Sequence, residues 1–214
     1  MTPALADRRL YLCTADRPDL QSFLRDCIEG GVDVVQLRDK DLDARSVLAR
    51  AALVRPVCTE YGVPFILNDR PDLALAAEAD GGHLGQDDAP ASVARRILGP
   101  DALIGLSTHG DDDFDHALGQ DADDLSYLSA GPVVPTPTKP GRPGTGPEYP
   151  GSATRRSPLP VFVTGGVTPA TVGALVDSGC RRFVVVRWLT ESDKPGEAAR
   201  ELRCAIDAAL GVGS

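Results

Sequence analysis

The stretch VFVTGGVTPATVGALVDSG, residues 161–179, contains one complete βα unit. A short apolar run is followed by two glycines, which allow a tight turn from strand into helix. Thr168 is a suitable N-cap, Pro169 fits the first helical position and Gly179 is suited to end the helix. The sequence therefore predicts a strand over 161–165 and a helix over 168–178.

The same alternation of strand and helix extends along the rest of the chain. Most of the remaining strand candidates are nearly continuous apolar runs, as expected for strands buried on both faces of a parallel sheet. Eight strands alternating with helices in 214 residues predict a (β/α)₈ TIM barrel of the α/β class, one small domain over residues 1–214. A doubly wound open sheet gives the same alternation and is the alternative on this count. The other strand candidates are 9–14, 33–38, 64–68, 82–85, 103–107, 125–130 and 183–187.

Two helices have irregular sequences. Apolar residues recur at helical spacing over 43–61, but Pro56 lies inside this pattern and is expected to kink or split the helix. After the sixth strand, PEYPGSATRRSP has three prolines and no clear apolar stripe, so the helix there is predicted to be short or missing. A regular last helix is predicted over 194–209.

Composition and charge limit the classes of partner. The formal net charge of −9 disfavours nucleic acid and anionic membranes, whereas a small anionic substrate fits if basic groups gather locally. Neither an eighteen-residue apolar run nor a secretory leader pattern is recognisable. The five cysteines are scattered and lack a CxxC pair, which indicates reduced thiols in a cytoplasmic protein. A homo-oligomer is compatible with this sequence.

Chemistry in parallel α/β barrels collects at the carboxyl ends of the strands, and polar residues follow the apolar runs here. The second strand ends in QLRDK, and strict alternation directs Gln36, Arg38 and Lys40 to one side. Two cations at one strand end suit a phosphate or pyrophosphate. The alternative is a solvated strand terminus in which the cations pair with Asp39 and Asp41.

Carboxylates follow the third and fourth strands. NDR supplies Asn68 and Asp69, and GQDD supplies Asp87 and Asp88. Carboxylates on neighbouring loops beside a cationic cluster predict a Mg²⁺ site, because Mg²⁺ takes few protein oxygens together with substrate phosphate. The alternative is that Asp69 and Asp88 are N-caps of the helices that follow.

Three further strand exits carry polar residues or glycines. Ser107 follows the fifth strand as a possible ligand contact, and the neighbouring His109 is expected to be structural or peripheral. Gly165 and Gly166 precede a capped helix whose free N–H groups attract phosphate. Arg187 ends the eighth strand. The exits thus predict one anion-binding face.

Residues 131–146, GPVVPTPTKPGRPGTG, have the composition of a linker. However, they follow the sixth strand, and residues on both sides are needed to close one barrel. We therefore interpret them as a lid-like active-site loop that carries Thr136, Thr138 and Lys139.

In order and spacing, five segments resemble the signature segments of the thiamine-phosphate synthase family. The resemblance runs from about residue 8 to 209. Each segment alone is weakly specific, whereas the ordered set is highly specific. The segments are VQLRDK, ILNDRPDLALAAEADGGHLGQDD, IGLSTHG, AGPVVPTPTKPG and VTGGVTP.

The resemblance implies a (β/α)₈ barrel that joins 4-amino-2-methyl-5-(diphosphooxymethyl)pyrimidine to a thiazole phosphate or its carboxylated tautomer. The products are thiamine monophosphate and pyrophosphate. Carbon–oxygen cleavage leads, and the thiazole nitrogen captures a pyrimidine-stabilised carbocation, with Mg²⁺ assisting.

The family also implies a role for each matching residue. The catalytic residues would be Arg38, Lys40, Ser107 and Lys139. The pyrimidine pyrophosphate would be bound by Gln36, Arg38, Lys40, Asn68, Ser107 and Lys139, and the thiazole phosphate by Thr136, Pro137, Thr138, Gly166, Val186 and Arg187. Asp69 and Asp88 would bind Mg²⁺, and Asp87 would be a neighbour only.

The chain departs from the family at Arg187, where many members have a small hydroxyl residue, and in the irregular segment after the sixth strand. Two other functions are considered. A thiazole tautomerase of the same superfamily would not need both aspartates or the Thr-x-Thr-Lys cluster. A non-catalytic sensor of phosphorylated ligands would explain the cations but not a magnesium site beside them.

Overall fold

The computed structural model describes residues 5–135 and 143–212. Eight parallel strands close into a barrel in sequence order, and the last strand pairs with the first through Leu10 and Phe183. The barrel prediction is therefore confirmed, and the open sheet is excluded. The strands are β1 (Leu10–Thr14), β2 (Val34–Leu37), β3 (Phe65–Asn68), β4 (Gly81–Leu84), β5 (Leu103–Thr108), β6 (Tyr127–Ala130), β7 (Val161–Val163) and β8 (Arg182–Val185).

Helices follow each strand and cover the outside of the barrel, with a short extra helix after β8. None of the helices in the described residues is long and apolar enough to cross a membrane. The helices of these residues are α1 (Leu20–Glu29), α2 (Ala44–Tyr61), α3 (Pro71–Ala76), α4 (Ala91–Leu98), α5 (Asp111–Gln120), α6 (Glu148–Arg156), α7 (Pro169–Ser178), α8 (Arg187–Thr190) and α9 (Pro195–Leu210).

The predicted start and end of α7 are confirmed. Thr168 and Thr171 form a capping box, in which each side chain meets the other residue's backbone N–H. Gly179 ends the helix with φ +115°, a left-handed conformation that favours glycine. The N-terminal N–H groups of α7 consequently face the carboxyl end of the barrel.

The helix α2 is continuous through Pro56, so the proline does not split it. Ala51, Val54 and Val57 are fully buried and pack in the main hydrophobic cluster. Tertiary packing of an apolar face supplies most helix stability in proteins, and here it outweighs the hydrogen bond that proline removes.

The helix after β6 is present but short, with nine residues in α6. Its residue Gly151 lies so close to α7 that an added Cβ would be 2.0 Å from the carbonyl oxygen of Ser178. Small residues therefore allow α6 to contact the fold where its sequence lacks an apolar stripe.

The barrel interior is filled in its lower half by apolar and aromatic side chains, among them Tyr11, Ile66, Tyr127 and Phe162. Larger apolar clusters lie between the barrel and the helices. Toward the carboxyl ends of the strands the interior becomes polar, because Gln36, His83, Ser107 and Ser129 are buried there. The core thus supports a polar face at one end.

Candidate active site

The predicted site residues within the described ranges lie at the carboxyl ends of their strands. Because all eight strands are parallel in a closed barrel, these ends open at the same rim. Residues Thr136, Pro137, Thr138 and Lys139 lie outside the described residues. The predicted residues that the structure describes are Gln36, Arg38, Lys40, Asn68, Asp69, Asp88, Ser107, Gly166, Val186 and Arg187.

The three polar residues of β2 and its exit differ in burial. Gln36 is 5% exposed and lies inside the barrel. The strand ends at Leu37, so strict alternation does not extend to Arg38, which is half-buried, or to Lys40, which is exposed. The three side chains therefore do not form the predicted single row. Gln36 is a buried amide inside the barrel, and the two cations follow it at the strand exit.

Lys40 does not pair with Asp39 or Asp41, as the solvated-terminus alternative requires. Its ammonium nitrogen lies 3.0 Å from Oδ2 of Asp69, across the exit of β3. Lys40, Asn68 and Asp69 line a common pocket of about 260 Å³. The guanidinium of Arg38 has no salt bridge to residues 5–135 or 143–212.

The two aspartates predicted to hold metal do not cap the following helices. Helix α3 begins after Arg70 and α4 after Pro90, in both cases without a side-chain cap. Asp88 instead accepts a hydrogen bond from the Gly85 N–H at 2.7 Å. Asp69 has φ +63°, a left-handed conformation that is uncommon for residues other than glycine and is typical of functional sites.

Asp69 and Asp88 also face each other. Burial raises the pKa of the Asp88 carboxyl, and hydrogen bonding and repulsion from Asp69 raise it further against the opposing effects of the Gly85 N–H and Lys40. Asp87, their neighbour in sequence, is exposed. The structure thus brings together two carboxylates beside one lysine.

A second pocket, of about 90 Å³, lies between the exits of β7 and β8 and the N-terminus of α7. It is lined by Gly166, Val186 and Arg187, the described residues predicted for the thiazole phosphate. Gly166 has φ +77°, and a Cβ there would lie 2.6 Å from Cγ2 of Val134. The glycine thus lets the loop after β6 approach this pocket closely.

Backbone hydrogen bonds connect the described flanks of the loop after β6 to each other and to the residue that follows β7. The Thr145 N–H donates to the Pro132 carbonyl at 2.8 Å, and the Val133 N–H donates to the Thr164 carbonyl at 2.9 Å. Nδ1 of His109 lies 2.6 Å from the Gly131 carbonyl oxygen, so this histidine has a structural contact, as expected.

Sequence reasoning missed the groups around Ser107. Its Oγ lies 2.9 Å from Nε2 of His83, which in turn contacts Tyr127 through Nδ1 at 3.0 Å. Both residues are buried. A histidine within the strand GGHL was an available signal, because polar side chains are rarely placed inside a barrel without a partner.

These features place cationic side chains and two facing carboxylates at the strand exits of one barrel, and the comparison with known proteins gives the family. The family model described as thiamine monophosphate synthase matches residues 10–189. The chain belongs to this family. The match covers every strand of the barrel.

Named relatives agree with the family. The thiamine-phosphate synthase of Mycobacterium bovis (strain BCG / Pasteur 1173P2) is 45% identical, covering 96% of this chain and 97% of the relative. That of Acidothermus cellulolyticus is 42% identical, covering 98% and 100%. Among solved structures, thiamine phosphate pyrophosphorylase from Pyrococcus furiosus has a TM-score of 0.85 and 28% identity, covering 95% and 97%.

Proposed function

We propose that this chain is a thiamine-phosphate synthase. It condenses 4-amino-2-methyl-5-(diphosphooxymethyl)pyrimidine with thiazole phosphate, or its carboxylated tautomer, and releases thiamine monophosphate and pyrophosphate. The single observation that carries the proposal is that two cations, Arg38 and Lys40, and two facing carboxylates, Asp69 and Asp88, lie at the strand exits of one closed barrel, in a chain of this family.

The pyrimidine pyrophosphate is assigned to the side of the mouth formed by the exits of β2, β3 and β5. Gln36 and Ser107 present buried polar groups to the pyrimidine, with Asn68 beside them. Arg38 and Lys40 lie above them and suit the pyrophosphate, since Arg offers a fork of donors and Lys a point charge. Lys139 completes this set from the loop after β6.

The thiazole phosphate is assigned to the pocket between β7 and β8. The positive end of the α7 dipole favours a phosphate in this pocket, and Arg187 lies on the same rim. Val186 supplies an apolar wall for the ring. Thr136, Pro137 and Thr138 are assigned to the same substrate, and Pro132, near the start of their loop, lines this pocket.

The two facing carboxylates fit Mg²⁺. Asp69 and Asp88 are hard oxygen donors, and Mg²⁺ needs only one or two of these beside substrate phosphate and water. Residues 5–135 and 143–212 form no cluster of three or more metal-binding side chains, as a dedicated protein cage would require. When bound, Mg²⁺ would neutralise charge on the pyrophosphate.

The chain's own residues serve a dissociative displacement. The bond between the pyrimidine methylene carbon and the ester oxygen breaks, and its electron pair leaves with the pyrophosphate. Arg38 and Lys40 stabilise that growing negative charge because they are already held at the exit of β2, and Lys139 is assigned the same role. The thiazole nitrogen then donates its lone pair to the methylene cation. The carboxylated tautomer also loses carbon dioxide, and the electron pair of the broken carbon–carbon bond makes the ring aromatic as the exocyclic carbon takes up a proton.

Positioning of the two substrates accounts for the remaining rate acceleration. Binding of both substrates at the strand exits of one barrel would bring the methylene carbon and the thiazole nitrogen together, which converts an encounter of two substrates into a step within one complex. The nitrogen carries a lone pair, so its attack needs no general base. A phosphate sensor would have no use for two facing carboxylates.

We infer that the partners are small phosphorylated molecules and that the protein is cytoplasmic. All five cysteines are free thiols, which supports a reducing compartment.

The test is a product assay with purified protein, Mg²⁺ and both substrates. Thiamine monophosphate and pyrophosphate are expected in equal amounts, measured by chromatography and a coupled pyrophosphate assay. An Arg38→Met variant purified in parallel controls for contaminating enzyme. Folded wild-type protein that binds either substrate without forming product would overturn the proposal and indicate a sensor.

A further inference from the structure

A continuous chain of hydrogen-bonded side chains crosses the barrel interior from Gln36 to Ser107. Nε2 of Gln36 donates to the Tyr11 hydroxyl at 2.9 Å, and this oxygen lies 2.9 Å from the Tyr127 hydroxyl. Tyr127 contacts Nδ1 of His83 at 3.0 Å, and Nε2 of His83 contacts Oγ of Ser107 at 2.9 Å. The chain joins two groups that the proposed function assigns to the same substrate.

The rings in this chain are fixed by packing. Phe162 meets Tyr11 edge-on with centroids 5.3 Å apart and meets Tyr127 edge-on at 5.6 Å. At position 105 a Cβ would lie 2.1 Å from the Tyr127 ring, so only glycine leaves room for it. The three aromatic residues are at most 2% exposed, so the two hydroxyls are held in place rather than free to rotate into solvent.

The tyrosines stay protonated. Burial is the largest cause that raises the pKa of both Tyr11 and Tyr127. Each hydroxyl therefore has one proton to donate at any pH near neutrality. The Tyr11 hydroxyl contacts Gln36 and Tyr127, and the Tyr127 hydroxyl contacts Tyr11 and His83.

The orientation of the Gln36 amide then determines every later proton. Tyr11 accepts from Gln36, so its own proton goes to Tyr127, and the Tyr127 proton goes to Nδ1 of His83. The His83 proton is consequently on Nε2 and is donated to Oγ of Ser107. The Ser107 hydroxyl thus accepts from His83 and donates elsewhere.

The opposite proton order requires the opposite orientation of the Gln36 side-chain amide. If the Gln36 oxygen faced Tyr11, each bond would reverse, and Ser107 would donate to His83. Cys13, whose Sγ lies 3.0 Å from Oε1 of Gln36, is the contact at the other side of the amide. Its thiol donates to that oxygen in the observed orientation. With a neutral His83, this series of hydrogen bonds therefore has two self-consistent proton orders, and the orientation of the Gln36 amide selects between them.

We propose that Tyr11, Tyr127 and His83 are positioning residues that form one relay and hold Gln36 and Ser107 as a matched donor–acceptor pair. The inference rests on the proposed function, because the recognised group is the aminopyrimidine ring of the first substrate. A ring with fixed donor and acceptor edges fits one state of the relay and not the other. The relay is thus a specificity determinant for the pyrimidine.

Kinetics of Tyr127→Phe test the relay, with Tyr61→Phe as the matched control. Tyr61 is a tyrosine outside the barrel whose hydroxyl donates to Glu29. Tyr127→Phe is expected to raise KM for the pyrimidine substrate about tenfold, since a buried polar group is left unpaired, and to leave KM for the thiazole phosphate unchanged. Tyr61→Phe is expected to match wild type. A structural role alone would change both KM values together.

A double-mutant cycle tests whether the groups act as a unit. The loss in Tyr127→Phe combined with Ser107→Ala is expected to be smaller than the sum of the two single losses, because without Ser107 the relay orients Gln36 alone. Additive losses would overturn the relay. His83→Gln, which keeps a donor close to the position of Nε2, is expected to retain more activity than His83→Leu.

A measurement on the wild-type protein tests the proton order directly, even if the variants do not fold. The nitrogen chemical shifts of His83, assigned by their loss in His83→Gln, are expected to show the Nε2–H tautomer. The Nδ1–H tautomer would overturn the proton order. If wild type forms no thiamine monophosphate, the proposed function fails; if wild type is active and Tyr127→Phe is equal to it, the relay alone fails.

Discussion

The ammonium nitrogen of Lys40 lies 3.0 Å from Oδ2 of Asp69, and this ion pair joins the exits of β2 and β3. The Lys40 side chain is 54% exposed, so the pair adds little to the stability of the fold. The effect of this ion pair is to fix the positions of the two side chains. The contact holds a cation assigned to the pyrophosphate against a carboxylate assigned to Mg²⁺, before either ligand binds.

Asp69→Asn and Asp88→Asn should each weaken the response to Mg²⁺. Loss of one carboxylate removes a charged oxygen from a metal that has few protein ligands, so the Mg²⁺ concentration for half-maximal rate should rise by at least about tenfold. The measurement is initial rate against Mg²⁺ concentration at saturating substrates. Asp87→Asn is the control, because Asp87 is adjacent but exposed. Equal responses in all three variants would refute the assigned ligands.

Lys139→Ala should slow turnover by about 10²–10³-fold, the usual loss when one preplaced electrostatic group is removed from a reacting centre. The readout is kcat with both substrates saturating. Lys139→Arg should recover part of the rate by restoring the charge. Lys194→Ala is the control, since Lys194 pairs with Glu197 at an exposed position. An unchanged kcat in Lys139→Ala would remove this lysine from the pyrophosphate site.

Substitutions at the two proposed substrate sites should each raise KM for a different substrate. Arg187→Ala should raise KM for the thiazole phosphate by about tenfold and leave KM for the pyrimidine pyrophosphate nearly unchanged, because one charge-assisted contact is lost at one pocket. Arg38→Met should leave KM for the thiazole phosphate nearly unchanged, raise KM for the pyrimidine pyrophosphate and strongly lower kcat, because Arg38 is assigned to the departing pyrophosphate. Steady-state kinetics with each substrate varied in turn distinguish the two. An equal effect of Arg187→Ala on both KM values would contradict its placement at the thiazole phosphate.

Much of the fold follows from local sequence patterns. Strand length, apolar continuity and the caps of α7 are local properties, so the barrel and the positions of Asp69 and Asp88 at strand exits were predictable. Arg187 was predicted to end the eighth strand, but β8 ends at Val185 and Arg187 begins the short helix α8. The continuity of α2 through Pro56 was not, because it depends on burial against distant residues.

The interior of the site was less accessible to sequence reasoning. Tyr11, His83 and Tyr127 come from three strands, and their contact depends on the register of a closed barrel and on the space left by Gly105. No spacing within the chain encodes such a contact. Likewise, only the fold shows that Lys40 pairs with Asp69 instead of with its sequence neighbours.

Asp33→Ala should destabilise the fold by about 3 kcal/mol, the usual cost of removing one partner from a mostly buried ion pair. The Asp33 carboxylate accepts from the Arg9 and Leu10 N–H groups at the start of β1 and binds Arg203 of α9 at 2.9 Å. Burial raises the pKa of Asp33 in spite of these contacts. Its loss would therefore leave buried donors unpaired.

Urea unfolding monitored by circular dichroism measures this effect. Asp33→Asn, which keeps an oxygen acceptor for the N–H groups, should lose less stability than Asp33→Ala. Asp19→Ala, which removes an exposed partner of Arg17, is the surface control and should change the midpoint little. An unchanged midpoint in Asp33→Ala would contradict a structural role for this contact.

Cysteine reactivity should report the integrity of the barrel. Burial raises the pKa of the Cys27 and Cys58 thiols to about 12, so both remain protonated in the native state at mildly alkaline pH. Because the thiolate is the nucleophile, these residues should resist iodoacetamide at about pH 8.5, whereas Cys204, the exposed cysteine, should react. Mass spectrometry of the native protein should show one label, which Cys204→Ser abolishes.

The raised pKa values of the Cys27 and Cys58 thiols also predict how stability changes with pH. The folded-state pKa of each buried thiol lies above the unfolded value, so its favourable contribution is complete below about pH 9 and is lost as the pH rises through about 12. The free energy of unfolding should therefore fall with increasing alkalinity, and labelling of Cys27 and Cys58 should appear together with that fall. Rapid labelling of either thiol in the native protein at about pH 8.5 would contradict the packing of α1 and α2 against the barrel.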